Sequence, residues 1–272
     1  MKKESERVCL TPVDQDAHVY LVGLGMYELR QVTLETLEIL KRAKRVFHLS
    51  GRHKELTALN GKTEDLSTLY LRPGKATEIY ANIAKYVLSF AAETHPLVFA
   101  VEGNPMLFSD ISWKIAELGI AANLRVEALP GVSCLDVLPI QLGFEPGDLG
   151  LQVLEATQLV LYSLSINPYL STLILQVGEL GKRELIAGGK RHPHIFGRFV
   201  SHLRNFFPSD HPAIFVVSAS GKQSPSVVFS TEIDSIAEHQ DRIIPGMTLY
   251  VPRIGLPSVD YQLGYELGLK EE

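Results

Sequence analysis

Cysteine is nearly absent from this chain of 272 residues: Cys9 and Cys134 are the only two, far apart, and neither belongs to a CxxC pair. Disulfide scaffolds and structural zinc sites need more thiols at closer spacing, so both are excluded and a reducing cytoplasm is the expected compartment. Long apolar runs are missing as well. No stretch approaches the roughly 18 apolar residues of a membrane-spanning helix, and the opening MKKESERVCLTPVDQ is charged without the apolar core of a signal peptide. Neither a membrane anchor nor export is expected. Nor is there a run rich in lysine and arginine, and the formal net charge is -5, which argues against nucleic acid or a membrane surface as partner. What is plentiful is material for a core. With 46% hydrophobic and 21% charged residues, the chain is globular, and its length fits two joined domains better than one core.

Residues 18 to 24, HVYLVGL, form an apolar, β-branched run ending in glycine, as a buried parallel strand does before its turn. Helical spacing follows from Leu34 through Leu37 and Leu40, with Thr33 as N-cap and basic residues closing the segment. The sequence then predicts a strand at 46–50, a loop region, a helix at 77–93, a strand at 96–103, a helix at 109–118, a strand at 124–131 and a connecting helix at 133–143. That βα alternation implies a parallel sheet with ligand-binding loops at the carboxyl ends of its strands. Turn residues at 145–150 mark a boundary, giving an N-terminal domain at 16–145, a C-terminal domain at 146–255 and a tail at 256–272. The second domain follows another pattern: five strand candidates (LQVLEA, STLILQVG, HPAIFVVSA, SVVFS, MTLYVP), a helix at 194–207 and a shorter one at 232–239 predict a mixed sheet. The apolar residues from Leu256 to Leu269 offer a surface for packing on a partner.

Three glycine-bearing turns follow three strands of the first domain. Gly23-Leu24-Gly25 lacks the third glycine of a dinucleotide fingerprint, because Glu28 stands there, so that reading fails. Glu102-Gly103-Asn104-Pro105 and Leu129-Pro130-Gly131-Val132-Ser133 each read equally well as ordinary strand-to-helix turns or as ligand loops. Loops on one sheet edge converge, so together they can floor one pocket. His192, His194 and His202 match no common zinc spacing and no thiol or carboxylate completes them, so no metal is expected.

The order HVYLVGLGMYELRQVTLETLEILKRAKRVF, LVFAVEGNPMLF, RVEALPGVSCLDVLPIQLG, LQVLEATQL, LILQVGELG, MTLYVPR resembles the tetrapyrrole (corrin/porphyrin) methylase superfamily over residues 18–254. The resemblance implies an α/β fold of two domains, a parallel-sheet N-terminal domain and a mixed-sheet C-terminal one, with S-adenosylmethionine in the cleft between them and a homodimer as the assembly. On the matching loops it implies cofactor contacts from Leu24, Gly103, Leu107, Phe108, Ser133, Cys134, Gln176, Ala219 and Thr248, mostly through the backbone. The segments LYLRPGKATEIYANI, GNPMLF, LILQVGELG and FFPSDHPAIFVVSA are most similar to the borosin-type peptide backbone N-methyltransferases. Two tyrosines of that branch's catalytic group fall on Tyr70 and Tyr80. Its arginine is replaced by Ala76, with Lys75 and Arg72 close by, and its tyrosine before the turn glycine is Glu102.

An amide nitrogen is a poor nucleophile until deprotonated, so its methylation calls for a base and a donor to the carbonyl oxygen. Tyr70 and Tyr80 suit those roles, Arg72 or Lys75 would steady the developing oxyanion, and Glu102 suits a cationic or amine acceptor. The chain runs to Glu272 without a peptide-like extension, so the resemblance implies a separate precursor peptide and S-adenosylhomocysteine as by-product. Two other readings stay open: a methyltransferase for a tetrapyrrole or other small molecule, and a cofactor-binding regulatory homologue without activity.

Overall fold

The computed structural model describes residues 17–182, 191–192, 194–222 and 224–269; Cys9 lies outside them. Contacts divide these residues into two compact units. The first comprises 17–143 with Lys182 and the stretches 218–222 and 224–226, and the second takes the remainder from Phe144 onward.

The first unit is built on a parallel sheet. In chain order it contains β1 (Val19–Gly23), α1 (Leu34–Arg42), β2 (Arg45–Leu49), α2 (His53–Leu59), β3 (Thr63–Asp65), α3 (Ser67–Tyr70), α4 (Ala76–Leu88), β4 (Leu97–Val101), α5 (Asp110–Ala121), β5 (Val126–Leu129) and α6 (Cys134–Leu142). The strand order is β3-β2-β4-β1-β5, and every neighbouring pair is parallel. β1 and β4 are buried along their whole length, which is why their sequences read as unbroken apolar runs rather than alternations. One face of the sheet carries Leu21, Phe47 and Phe99 against Ile79, Ile83 and Val87 of α4 and Ile115 of α5. The opposite face carries Val46, Val98 and Ala100 against Ile39 and Leu40 of α1 and Leu56 of α2.

Local signals start and stop these helices. The Thr33 hydroxyl accepts the Thr36 N–H at 3.1 Å at the head of α1. Ser133 and Asp136 form a reciprocal capping box at the head of α6, and Gly143 ends that helix in the left-handed region at φ 71°. The expected strands and helices of this half are present with shifts of a few residues at their ends. The expected loop region at 51–76 is more structured than the sequence suggested, since it holds α2, β3 and α3.

The second unit is a mixed sheet. β6 (Leu151–Glu155), β7 (Ser171–Leu175), β8 (Pro212–Val217), β9 (Val227–Glu232) and β10 (Thr248–Val251) are ordered β6-β7-β10-β8-β9. β6 and β7 pair in parallel, whereas β10 runs antiparallel to both β7 and β8, and β8 antiparallel to β9. Helix α7 (Ala156–Leu161), which the sequence did not reveal, follows β6, and α8 (Ile195–Leu203) inserts Phe196, Phe199 and Leu203 into the core beside Phe215 and Leu249. The short helix expected at 232–239 is a run of 3₁₀ turns over Asp234–Arg242. Within the tail, α9 (Tyr261–Glu266) buries no residue.

The Thr33 cap predicts a measurable loss on truncation. Thr33→Ala should cost about 1 kcal/mol, read as a lower urea midpoint, and Thr33→Ser should restore it; a midpoint unmoved in Thr33→Ala would show that the side-chain bond does not hold the helix start.

Candidate active site

Three turns at the carboxyl edge of the first sheet meet backbone to backbone. Gly23 ends β1, Gly103 follows β4 and Gly131 follows β5. A methyl group on Gly23 would lie 2.7 Å from Gly131 Cα, and one on Gly131 would lie equally close to Gly23 Cα. No side chain fits there. Gly103, at φ 72°, donates its N–H to the Gly25 carbonyl at 2.9 Å, and the Leu24 N–H donates to the Val101 carbonyl at 2.9 Å. Leu24, Gly103 and Ser133 are therefore brought together as expected for one pocket floor, and Cys134 adjoins Ser133 at the start of α6. Burial raises the Cys134 thiol pKa, which keeps it protonated and poorly nucleophilic. Leu107 and Phe108 continue the β4 turn. Phe108 holds φ 52° and exposes 43% of its surface; a bulky side chain in the left-handed region is strained, as is common where a loop serves a ligand.

Residues 218–222 join this edge from far along the sequence. The Ser220 carbonyl accepts the Glu28 N–H at 3.1 Å, and Glu28 Oε1 accepts the Lys222 N–H at 3.2 Å. Arg52 donates from Nη2 to the same Ser220 carbonyl. Ala219, expected on the cofactor, is thereby held at the first unit's loop edge. Glu28, which breaks the dinucleotide fingerprint, is the residue that ties the segment down.

Glu102 lies just past the end of β4. Its Oε1 accepts the Gly51 N–H at 3.3 Å and faces Arg52 Nε at 3.9 Å. α3 carries Tyr70 against Tyr80 of α4, with ring centroids 6.1 Å apart and planes within 12°, and both pack on the α4–α5 core. The structure thus unites the two tyrosines.

Arg72 lines a cavity of about 500 Å³ between α3 and α4 with Glu64, Asp65, Glu78 and Asn82. Lys75 is 83% exposed and 4.0 Å from Glu78. In the second unit, Gln176 (φ 57°) precedes a 3₁₀ turn, and the Val177 N–H bonds the Met247 carbonyl at 3.1 Å, which sets Gln176 beside buried Thr248. His202 is engaged with the Leu164 carbonyl at 2.8 Å.

Comparison with known proteins agrees with this geometry. Residues 18–237 match the family model of the Tetrapyrrole (Corrin/Porphyrin) Methylases. The chain belongs to the tetrapyrrole methylase family. Among curated relatives, a methyltransferase/ribosomally synthesized type I borosin cyclic peptide precursor of Cerrena unicolor is 24% identical over 249 residues, 89% of this chain and 60% of the relative. A second, from Gymnopilus junonius, is 26% identical over 257 residues, 91% of this chain and 60% of its own. The chain thus spans about 60% of the length of these relatives. Among solved structures, uroporphyrin-III C-methyl transferase of Thermus thermophilus complexed with S-adenosyl homocysteine aligns with TM-score 0.60 and 20% identity, covering 86% of this chain and 96% of that one. Cobalt precorrin-4 methyltransferase aligns with TM-score 0.63 and 13% identity over 89% and 98%.

The structure also places side chains that the sequence kept hidden. Arg52 is 9% exposed but sits in SGRHKEL, a stretch indistinguishable from a surface loop; only the positive charge hinted at a partner. Next to it lies a histidine pair. His48, wholly buried, meets His53 with 3.0 Å between Nε2 and Nδ1, and its Nδ1 meets Ser50 Oγ at 3.2 Å. Ser50 Oγ also accepts the Arg52 N–H at 3.4 Å, which links the histidine pair to the start of α2. Burial, opposed by Asp65 and aided by His53, lowers the His48 pKa. Across β3, burial pushes the Asp65 carboxyl up, but the Ser67 hydroxyl and amide and the two imidazoles outweigh it and leave the group below its usual range.

The buried imidazole has a definite pH signature. His48 takes up its proton less readily folded than unfolded, so its contribution is constant above the ordinary imidazole pKa of about 6.5 and stability is lost as pH falls below that value toward the lower folded pKa. The melting temperature should therefore fall less between pH 7 and pH 5 in His48→Gln than in the wild type; parallel curves would contradict the assignment.

Proposed function

We propose that the protein methylates backbone amide nitrogens of a peptide, with S-adenosylmethionine as donor. The stacked Tyr70–Tyr80 pair carries this reading, because two phenols on adjacent helices supply the base and the hydrogen-bond donor that an amide acceptor requires. The curated relatives support the peptide class, since their names join a methyltransferase to a ribosomally synthesized peptide precursor. The solved relative with S-adenosyl homocysteine supports the donor.

The residues present fit such a donor. In the first unit, glycine turns packed without side chains leave backbone groups at the sheet edge, and Phe108 offers an exposed ring on the β4 turn. When bound, the donor supplies an electrophilic methyl carbon on a sulfonium. The protein then has to orient the acceptor in line with that carbon and remove one proton. In our reading Tyr80 would take the amide proton and Tyr70 would donate to the carbonyl oxygen as the methyl group passed from sulfur to nitrogen.

Glu102 supports a second reading. A carboxylate fixed by Gly51 and Arg52 suits an amine on a small molecule as well as a peptide N–H. Incubation with S-adenosylmethionine and either unstructured synthetic peptides or uroporphyrinogen III, followed by mass spectrometry, separates the two. Methylated peptide with mass added on backbone fragments is the expected product; methylation of the tetrapyrrole alone would overturn the peptide reading. Tyr80→Phe should lower peptide turnover about 100-fold with S-adenosylhomocysteine affinity unchanged, and turnover equal to wild type would remove Tyr80 as base.

We further propose that the enzyme is a cytoplasmic homodimer. No helix among the described residues is long and apolar enough to cross a membrane, and Leu256, Val259, Tyr261, Leu263, Leu267 and Leu269 expose between 49% and 67% of their surfaces. Exposed apolar side chains at this density favour a protein partner. Deletion from Leu256 onward should convert a dimer mass to a monomer mass in light scattering; a deletion variant that remains dimeric would assign the interface elsewhere.

A further inference from the structure

Arg52 is the most connected buried charge of the first unit. Its side chain is 11% exposed, and it stands at the junction of β2 and α2, where its carbonyl accepts the Leu56 N–H at 2.9 Å. From that fixed base the guanidinium reaches two other pieces of chain. Nη2 donates to the Ser220 carbonyl, and Nε faces Glu102 Oε1 at 3.9 Å. A desolvated guanidinium is retained only where its partners are well placed, and its rigid fork can serve two acceptors in fixed directions where an ammonium cannot.

Each partner lies next to a residue of the proposed site. Ser220 adjoins Ala219, and Glu102 adjoins Gly103. The Ser220 carbonyl has one other donor, the Glu28 N–H, and Glu28 returns a carboxylate oxygen to the Lys222 N–H. Segment 218–222 is therefore pinned from two sides, by Arg52 and by the β1 turn. Among the described residues Glu102 is held through Oε1, by Arg52 and the Gly51 N–H.

We propose that Arg52 is a positioning residue of the methyl-transfer site: by holding segment 218–222 and Glu102 in one geometry it sets Ala219 for the cofactor and the Glu102 carboxylate for the acceptor. It touches neither molecule and acts through those two groups. The assignment rests on the reading of Ala219 and Gly103 as cofactor contacts.

Two measurements on the full chain test it, with S-adenosylhomocysteine as the probe. Hydrogen exchange of the ligand-free protein reads the clamp itself: Arg52→Ala should speed exchange at the amides of 218–222 while core strands β1 and β4 stay protected. Calorimetry reads the consequence: Arg52→Ala should weaken S-adenosylhomocysteine roughly tenfold, and Arg52→Lys, whose ammonium cannot serve both acceptors, should leave most of that loss in place. Arg45→Ala, on the Glu64 pair at the opposite end of β2, should leave affinity unchanged. A purely structural role would lower the melting temperature of Arg52→Ala yet leave the affinity of the folded molecule at the wild-type value, and that result overturns the proposal. Should Arg52→Ala fail to fold, Arg52→Gln decides, since unchanged exchange and affinity in that neutral variant would equally overturn it. Wild-type protein that does not bind the probe would instead bring down the cofactor reading itself, and the proposal with it.

Discussion

Everything at the carboxyl edge of the first sheet depends on one steric fact, the mutual approach of Gly23, Gly103 and Gly131. With a side chain at either Gly23 or Gly131 the turns after β1 and β5 would have to separate. Separation would displace Leu24 and Ser133 and would loosen the Gly103–Gly25 bond that joins β1's turn to β4's. A floor of bare backbone follows from that packing. Packing of this kind constrains backbone rather than side-chain identity, and the fold is shared with solved methyltransferases that are 13–20% identical to this chain.

Two groups of the first unit rest on different supports. The tyrosine pair packs on the α4–α5 core, whereas Glu102 is held just past the end of β4 by the Gly51 N–H and Arg52. Gly51 and Arg52 stand at that level because β2 pairs with β4 in parallel register and ends opposite it.

Legibility in the sequence tracked burial. β1 and β4 were plain because every residue in them is buried, and α4 because Ile79, Ile83 and Val87 repeat on one face. α2 buries only Leu56 within its span, and α3 is four residues long with none buried, so neither has a periodic signal. Tyr70 consequently read as part of a polar loop. The three glycine turns were visible, and their convergence followed from strand direction, but the part Arg52 plays was not. Its partner carbonyl lies 168 residues away, and a backbone acceptor leaves no mark in the identity of the residue that carries it. Glu28 showed as a broken fingerprint, and only the structure gives that departure a purpose.

The detour of segment 218–222 has a temporal meaning as well as a spatial one. The flanking strands β8 and β9 complete the second sheet, yet the Ser220 carbonyl and the Lys222 N–H close bonds begun by Arg52 and Glu28 up to 194 residues earlier. During synthesis the β1 turn and the head of α2 therefore emerge long before the partners that settle them, by roughly ten to forty seconds at ordinary elongation rates. Until then Arg52 is a solvated cation at the edge of an otherwise complete parallel sheet. The last step in maturing the first unit is thus the docking of a short return segment rather than the formation of a strand or helix, and it waits on the chain that builds the second.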